Sequence, residues 1–414
     1  MILIRLIRES LAFAFGSLIM NKLRTFLSLL GITIGIFAII AVFTVIDSLE
    51  YGVRNSIKSL GDDVVYIQKW PWEFSMDYAW WKYVNRPVPN LREYEILLRN
   101  SDKIKEAAFI ASTAQKLQVN DHFVENAGVM CATHNYNNIW VINIEKGRYF
   151  SSFESQSGKN VCIIGADIAS ELFPALDPIG QTLKVKGHKT EVIGVFEKEG
   201  SSLGQSMDQN VLIPINFAKS IYDLKSERLN PFIMVKAMEG MKMADFMDHI
   251  KGEMRAIRKL KPMEEENFAL NRASLIAKQF DQIFSVINLA GWMIGGLSIL
   301  VGAFGIANIM FVTVKERTNQ IGIQKAIGAK NYFIMIQFLT ESVILALLGG
   351  LLGLLLVYIG IQIGNQYIEM DFSMTAGNVL RGINISVIVG LIAGFIPAYK
   401  ASHLNPVEAI QTTA

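Results

Sequence analysis

Nowhere does the chain read G-x-x-x-x-G-K-[ST], so it lacks the P-loop that cradles nucleotide phosphates. Its five histidines (His122, His134, His188, His249 and His403) are scattered, and no Ser–His–Asp arrangement can be built from them. Cysteine is limited to Cys131 and Cys162. Cys131 forms a lone C-x-x-H with His134, and a zinc site needs a second such pair. The two thiols are compatible with a disulfide in an oxidising compartment, whereas Cys162, inside "VCIIG", reads as a small buried hydrophobe. These absences nominate no catalytic residue, no metal ligand and no enzyme. Charge is scarce as well: 18% of residues are Asp, Glu, Lys or Arg, against about 25% in soluble proteins.

What charge there is has been sorted. There is none from Phe26 to Ile46, none from Gln282 to Val314, none between Glu341 and Glu369, and none between Arg381 and Lys400. About 20 apolar residues cross a bilayer core of roughly 30 Å as a helix. Four crossings follow: 26–47, 282–313, 332–363 and 383–399. The second run would be roughly 50 Å long as a helix, so it continues outward as a stalk or tilts to absorb the surplus. Basic residues precede the first run, yet it is too long for a secretory signal and no A-x-A-like cleavage site follows. Residues 1–25 mix arginines with an apolar face and are expected in the plane of the membrane surface.

Lys and Arg near helix ends set orientation. Arg5, Arg8, Lys22 and Arg24 precede the first run, Lys315, Arg317, Lys325 and Lys330 follow the second, and Lys400 follows the fourth. Both termini and the 314–331 segment are therefore expected in the cytoplasm, with 48–281 and a short loop, 364–382, outside. The expected class is a four-helix integral membrane protein with a large mixed α/β domain between helices 1 and 2, and a cytoplasmic tail from 400 to 414.

In the outer region, "DDVVYIQ", "KLQVNDHFV", "KNVCIIG" and "NVLIPI" read as strands, and "TLKVKGHKTEVIGVF" as a hairpin turning at Lys186 to His188. Asn90 and Glu93 form a capping box for a helix, and "MADFMDHIKGEMRAIRKLK" reads as another helix. The length suits one large subdomain or two small ones. "WPWEFSMDYAWWKYV" gathers Trp70, Trp72, Trp80 and Trp81, with Phe74, Tyr78 and Tyr83. Such a stretch is either a packed aromatic cluster or a partner-contacting surface.

Gly291, Gly295, Ser298, Gly302 and Gly305 recur at spacings of 4, 3, 4 and 3 in the second run. Small residues let helix backbones approach where lipid supplies no drive for association. G-x-x-x-G also occurs at Gly31/Gly35, Gly349/Gly353, Gly360/Gly364 and Gly390/Gly394. Tight packing on such faces argues against a wide water-filled pore there. Glu341 is the one carboxylate close to a membrane run; at about 3 kcal/mol for a charge at the bilayer centre it is a functional candidate by default, and eleven residues past Lys330, near the cytoplasmic interface, it is expected to be hydrated or locally paired.

Between the second and third runs lies "VKERTNQIGIQKAIGAK". Glu316 to Ile327 can form about three turns, with Gly328 as the stop. Ile323, Ala326 and Ile327 would share a face, with Lys315, Arg317 and Lys325 in solvent. Its apolar surface is too small to dock within its own chain, so it is available to something else.

"NKLRTFLSLLGITIGI", "GIANIMFVTVKERTNQIGIQKAIGAK", "IQFLTESVILALLGGLLG" and "IPAYKASHLNPVEAIQ" closely resemble the permeases of MacB-type ABC transporters, in the FtsX-like permease superfamily. "IEKGRYFSSFE" and the stretch from "VCIIG" to "VFEKEG" resemble that family's periplasmic core domain. The resemblance runs nearly end to end. It implies a dimer of permeases in the bacterial inner membrane, each gripping an ABC ATP-binding subunit. The 314–331 segment would be the coupling helix, so Lys315, Glu316, Arg317, Gln320, Ile323, Lys325, Ile327 and Gly328 are the candidate ATPase contacts. ATP and Mg would belong to the partner, with no cofactor on this chain. Macrolide-exporter members carry a fused ATPase before the first helix, whereas this chain starts with the permease, so a separate ATPase is expected. Further partners are a second permease copy, membrane lipid, a periplasmic adaptor and an outer-membrane channel; nucleic acid is not among them. Efflux would then proceed by mechanotransmission, ATP-driven movement inside being passed to the outer domain. A lipoprotein-releasing permease of the same superfamily and a membrane-anchored ligand sensor without ATPase are the alternatives. A division-type regulator usually has a much smaller outer domain, and a hydrolase lacks a nucleophile–base pair.

Overall fold

The computed structural model describes residues 22–73, 78–174, 176–200, 206–367 and 372–411. Residues 1–21, expected at the membrane surface, lie outside that range, as does Phe74. Helix α1 (Lys22–Ser59) is followed by β1 (Val64–Gln68), α2 (Trp80–Tyr83) and α3 (Leu91–Asn100). Then come β2 (Ile104–Val119), β3 (His122–Ala132), α4 (Tyr136–Ile139), β4 (Ile144–Gly147), α5 (Ser152–Ser157), β5 (Val161–Ile164) and α6 (Ala166–Leu172). Next are β6 (Thr182–Val185), β7 (His188–Phe196), β8 (Asn210–Pro214), α7 (Ile215–Ile221), β9 (Phe232–Ala237), α8 (Met243–Ile257) and β10 (Ala269–Asn271). The chain then becomes helical as α9 (Ala273–Glu316), α10 (Thr318–Ala326), α11 (Asn331–Tyr367), α12 (Ala376–Ser402) and α13 (Pro406–Gln411). Gly52–Gln282 forms one compact unit, and the residues on either side form a second.

In the Gly52–Gln282 unit, the ten strands among the described residues join one sheet in the order β10-β1-β9-β2-β3-β8-β5-β7-β4, with β6 pairing both β2 and β7. Strand side chains alternate between faces, and the sheet has a core on each. Val65, Ile67, Phe109 and Val235 pack on one side with Phe246 and Ile250 of α8. Val64, Tyr66, Ile110 and Met234 pack on the other with Tyr136 and Phe150. The capping box that starts α3 is present, Asn90 and Glu93 each accepting the other's backbone N–H. The β6–β7 hairpin turns on Lys186 and Gly187, at φ +49° and +84°, the left-handed pair a two-residue turn requires.

"KLQVNDHFV" is a hairpin rather than one strand. β2 ends at Val119, β3 starts at His122, and Asn120 takes φ +49° between them. The apolar–polar alternation continues through the turn and hides it; Asn tolerates the left-handed conformation that makes the turn. Cys131 and Cys162 are both free and buried, so they form no disulfide. Burial pushes the Cys131 thiol up to about 12.

β1 and β10 are antiparallel neighbours, pairing Tyr66 with Asn271 and Gln68 with Ala269. β1 follows α1 after four residues, and a single residue, Arg272, separates β10 from α9. Arg54 of α1 and Asp281 of α9 form an ion pair at 2.6 Å.

In the second unit, α1, α9, α11 and α12 are long and apolar enough to cross a membrane, making the chain a multi-pass membrane protein with its α/β domain between the first two crossings. α9, with 44 residues, is about 66 Å long at 1.5 Å per residue. Its small residues face α1. A Cβ on Gly291 would meet Val42 at 3.3 Å, one on Gly295 would meet Ile39 at 2.5 Å, and one on Gly302 would lie 3.5 Å from the Ile32 Cα. Ser298 fits the same row, its carbonyl oxygen 2.7 Å from where a Gly35 Cβ would sit. Gly305, three residues further on, is half-buried. Partners on α1 fall as α9 rises, so the two helices run antiparallel. α1 also packs on α11, where Gly349 faces Ile32 and Gly353 faces Thr33 and Phe37. α11 and α12 close on each other at Gly390 and Gly394, which sit against Ser342, whose hydroxyl donates to the Gly390 carbonyl at 2.8 Å.

Candidate functional site

The α9–α10 junction is a break rather than a loop. α9 stays helical through Lys315 and Glu316, then Arg317, at φ −104° and ψ 13°, leaves helical geometry and α10 begins at Thr318. The helix expected over Glu316–Ile327 is thus divided at Arg317. The reason is tertiary: its guanidinium turns toward α11 and pairs with Glu341 at 3.4 Å. Glu341 is 3% exposed, so it is the paired carboxylate of the two states considered. At the other end, Gly328 takes φ +103°, where a side chain would be strained, and its N–H donates to the Lys325 carbonyl at 3.0 Å.

α10 has two faces. Ile323, Ala326 and Ile327 are exposed, Ile327 at 82%, and Lys315, Glu316 and Gln320 are exposed too. Ile321 and Gly322 are buried. The second face docks within the chain, on α13, a short helix inside the stretch expected to be a cytoplasmic tail. A Cβ at Gly322 would meet the Ala409 Cβ at 2.9 Å and the Ile410 Cγ1 at 3.0 Å, and Ala409 is buried. Absence of a side chain at 322 makes this contact possible. Asn319 Nδ2 donates to the Ile410 carbonyl at 3.4 Å. The signal for α13 was in "NPVEAI": Pro at the first helical position with Asn before it, and Asn405 Oδ1 accepts from the Val407 N–H at 3.2 Å.

Lys325, expected in solvent, instead donates from Nζ to the Leu404 carbonyl at 2.8 Å. Burial lowers its pKa from the ordinary lysine value, because leaving water disfavours the charged form. Beside these contacts, Arg317, Gln320, Ile321, Ile323 and Gln324 of the α10 region and Gln337 and Phe338 of α11 line a cavity of about 260 Å³. No group of three His, Cys, Asp or Glu among the described residues comes together to hold a metal ion. The arrangement offers a short apolar ridge, braced from behind.

The aromatic stretch of the outer unit divides in two. Trp72 packs on Tyr66 with ring centroids 4.8 Å apart, and Trp70 sits 6.4 Å from Tyr83. Asn271, 1% exposed, holds this part: its amide donates to Trp70 O and Gln68 Oε1 and accepts from the Trp72 N–H. Gln279 of α9 donates to Trp72 O at 3.0 Å. Trp80 and Trp81 on α2 are exposed by 57% and 60%. The stretch is therefore packed at Trp70 and Trp72 and exposed at Trp80 and Trp81.

Comparison with known proteins gives matches along most of the chain. The family described as the MacB-like periplasmic core domain matches residues 25–253, and the FtsX-like permease C-terminal family matches residues 292–406. The ABC transporter permease YknZ of Bacillus subtilis (strain 168) is 29% identical over 412 residues, covering 97% of this chain and 98% of the relative. The macrolide export ATP-binding/permease protein MacB of Bdellovibrio bacteriovorus is 28% identical over 406 residues, covering 97% of this chain and 61% of its own. The pyoverdine export ATP-binding/permease protein PvdT of Pseudomonas savastanoi pv. phaseolicola is 26% identical, covering 94% and 57%. The chain thus spans about 60% of the length of these fused relatives. The crystal structure of the periplasmic region of MacB from Actinobacillus actinomycetemcomitans aligns with a TM-score of 0.44 and 13% identity, over 55% of this chain and 97% of that one. With the periplasmic core domain alone matched over more than half of its length, and the permease domain matched after it, the chain belongs to the MacB-type permeases of ABC transporters.

Proposed function

We propose that this permease exports a cargo by mechanotransmission, using ATP hydrolysed on a separate ATP-binding subunit that grips α10. ATP and Mg reside on that partner. Two permease copies, each with its own ATPase, form the working unit in a bacterial inner membrane, and the Lys and Arg distribution supports α10 and both termini on the cytoplasmic side. A separate ATPase is supported by the YknZ relative, named a permease and matched over nearly its whole length. Export is supported by the names of the MacB and PvdT relatives. Closure of the ATPases would push α10, and α9, a single helix of 44 residues, would carry the shift outward.

One observation carries the reading. α10, between two membrane-crossing helices, leaves Ile323, Ala326 and Ile327 exposed while Ile321 and Gly322 are buried, Gly322 against α13. Burying an exposed isoleucine yields about 1.5–3 kcal/mol. Ile323→Asp combined with Ile327→Asp should therefore weaken ATPase-subunit binding by about a hundredfold or more, with membrane insertion intact. Pull-down of the ATP-binding subunit from detergent measures this. Undiminished binding by the double variant removes α10 as the contact.

A further inference from the structure

α10 is fastened inside its own chain at both ends, to α11 and to the segment that joins α12 to α13. At its start Arg317 pairs with Glu341, in the third turn of α11. At its finish Lys325 donates to the carbonyl of Leu404, two residues past the end of α12. Between them Gly322 lets α13 approach until only a glycine fits, and Asn319 donates to the Ile410 carbonyl. Ile323, Ala326 and Ile327 stay exposed beside these contacts, Ile323 one turn from Asn319 and Ala326 one turn from Gly322.

A short helix joined to its neighbours only through a break at Arg317 and a left-handed glycine at 328 would swivel when pushed. Force applied to such an element is lost in the joints. Side-chain fasteners across both joints make the segment stiff, and the membrane helices they reach determine where a push goes. Lys325 shows that the C-terminal fastener is a specific contact: its ammonium turns from water to a single carbonyl, at some desolvation cost.

We infer that Arg317, Gly322 and Lys325 are positioning residues for transport, with α13 as the brace, so that displacement of α10 is delivered into α11 and α12 as well as α9. This rests on the reading of α10 as the ATPase contact and assigns its residues two separate tasks. The ridge binds; the fasteners transmit. Lys325, a candidate ATPase contact by sequence, belongs to the second group.

The test uses the full chain assembled with its ATP-binding subunit in nanodiscs. Spin labels on introduced outer-domain cysteines report the ATP-dependent distance change, and the native thiols, being buried, do not interfere. Three variants are compared: Lys325→Met, Gly322→Ile and, as a rescue, Lys325→Arg, which restores a cationic donor. The expectation is that Lys325→Met and Gly322→Ile bind the subunit and hydrolyse ATP within about twofold of wild type, while the population shifted by ATP falls by about tenfold. Lys325→Arg should recover most of that shift. A full ATP-dependent distance change in Lys325→Met and Gly322→Ile would overturn the inference. So would loss of subunit binding in both, which would make these residues part of the grip. Failure of the underlying reading is distinguishable, since it appears as retained binding by the Ile323→Asp/Ile327→Asp double variant.

Discussion

Two glycines one helical turn apart on α1 should respond oppositely to the same substitution. A Cβ at Gly35 would lie 2.7 Å from the Ser298 carbonyl oxygen, whereas one at Gly31 would meet nothing within 4 Å among the described residues. Carbon and carbonyl oxygen normally approach to about 3.3 Å, so Gly35→Ala requires roughly 0.6 Å of separation. The obstacle is backbone, which has no rotamer to change. α1 and α9 must move apart, loosening Gly291, Gly295 and Gly302 in the same row. Overpacking of this kind costs about 1–3 kcal/mol. Replacing glycine by alanine within a helix returns up to about 1 kcal/mol in propensity, but that gain is common to both variants and cancels between them. Gly35→Ala should therefore be less stable than Gly31→Ala by about 1–3 kcal/mol, or roughly 5- to 150-fold in the unfolding equilibrium. Reversible unfolding of the full chain in mixed dodecyl maltoside–SDS micelles, followed by circular dichroism, gives the comparison. Coincident SDS midpoints, or a less stable Gly31→Ala, would refute the packing argument.

Asn271→Ala removes the two hydrogen bonds that hold Trp70 and Trp72 to β10 and a third to Gln68; a loss of about 2–4 kcal/mol in stability and a red shift in tryptophan emission are expected, and an unchanged spectrum would contradict the anchoring. Glu154 is held below the usual carboxylate range by the bidentate Arg148 and by the Ser151 N–H it caps. A carboxyl with a depressed folded pKa stabilises fully above its unfolded value, near 4.3, and loses that contribution as pH falls toward the folded value. Glu154→Gln should thus flatten the decline in stability below about pH 4.5, costing on the order of 1–3 kcal/mol at pH 7; parallel acid limbs in melting experiments would rule this out. Cys131 and Cys162 should resist maleimide labelling in the native protein and react once it is denatured, with mass spectrometry as the readout.

The four crossings were legible because a bilayer tolerates no unpartnered charge, so the runs from Phe26, Gln282, Glu341 and Arg381 announce themselves. The small-residue row on α9 was legible as a row, but its counterpart on α1 was not: Gly31 and Gly35 form one motif, yet only Gly35 meets a neighbour within reach of an added Cβ. Local chemistry also placed the α3 capping box and the Lys186–Gly187 turn. What escaped depended on partners far along the chain. Arg317 breaks the helix toward a carboxylate 24 residues away, and Lys325 finds a carbonyl 79 residues away. The double pairing of β6 with β2 and β7 is likewise invisible to periodicity. The apolar ridge of α10 was readable from spacing; the residues that steady it were not.

The sheet's outermost pair, β1 and β10, has a consequence for how such a protein can be recombined. The polypeptide enters and leaves the outer unit on adjacent strands, Tyr66 opposite Asn271, about 5 Å apart. A fold whose two ends meet in this way can be excised and another grafted in its place, and a chimera joined within this strand pair is the natural place to attempt that exchange by design.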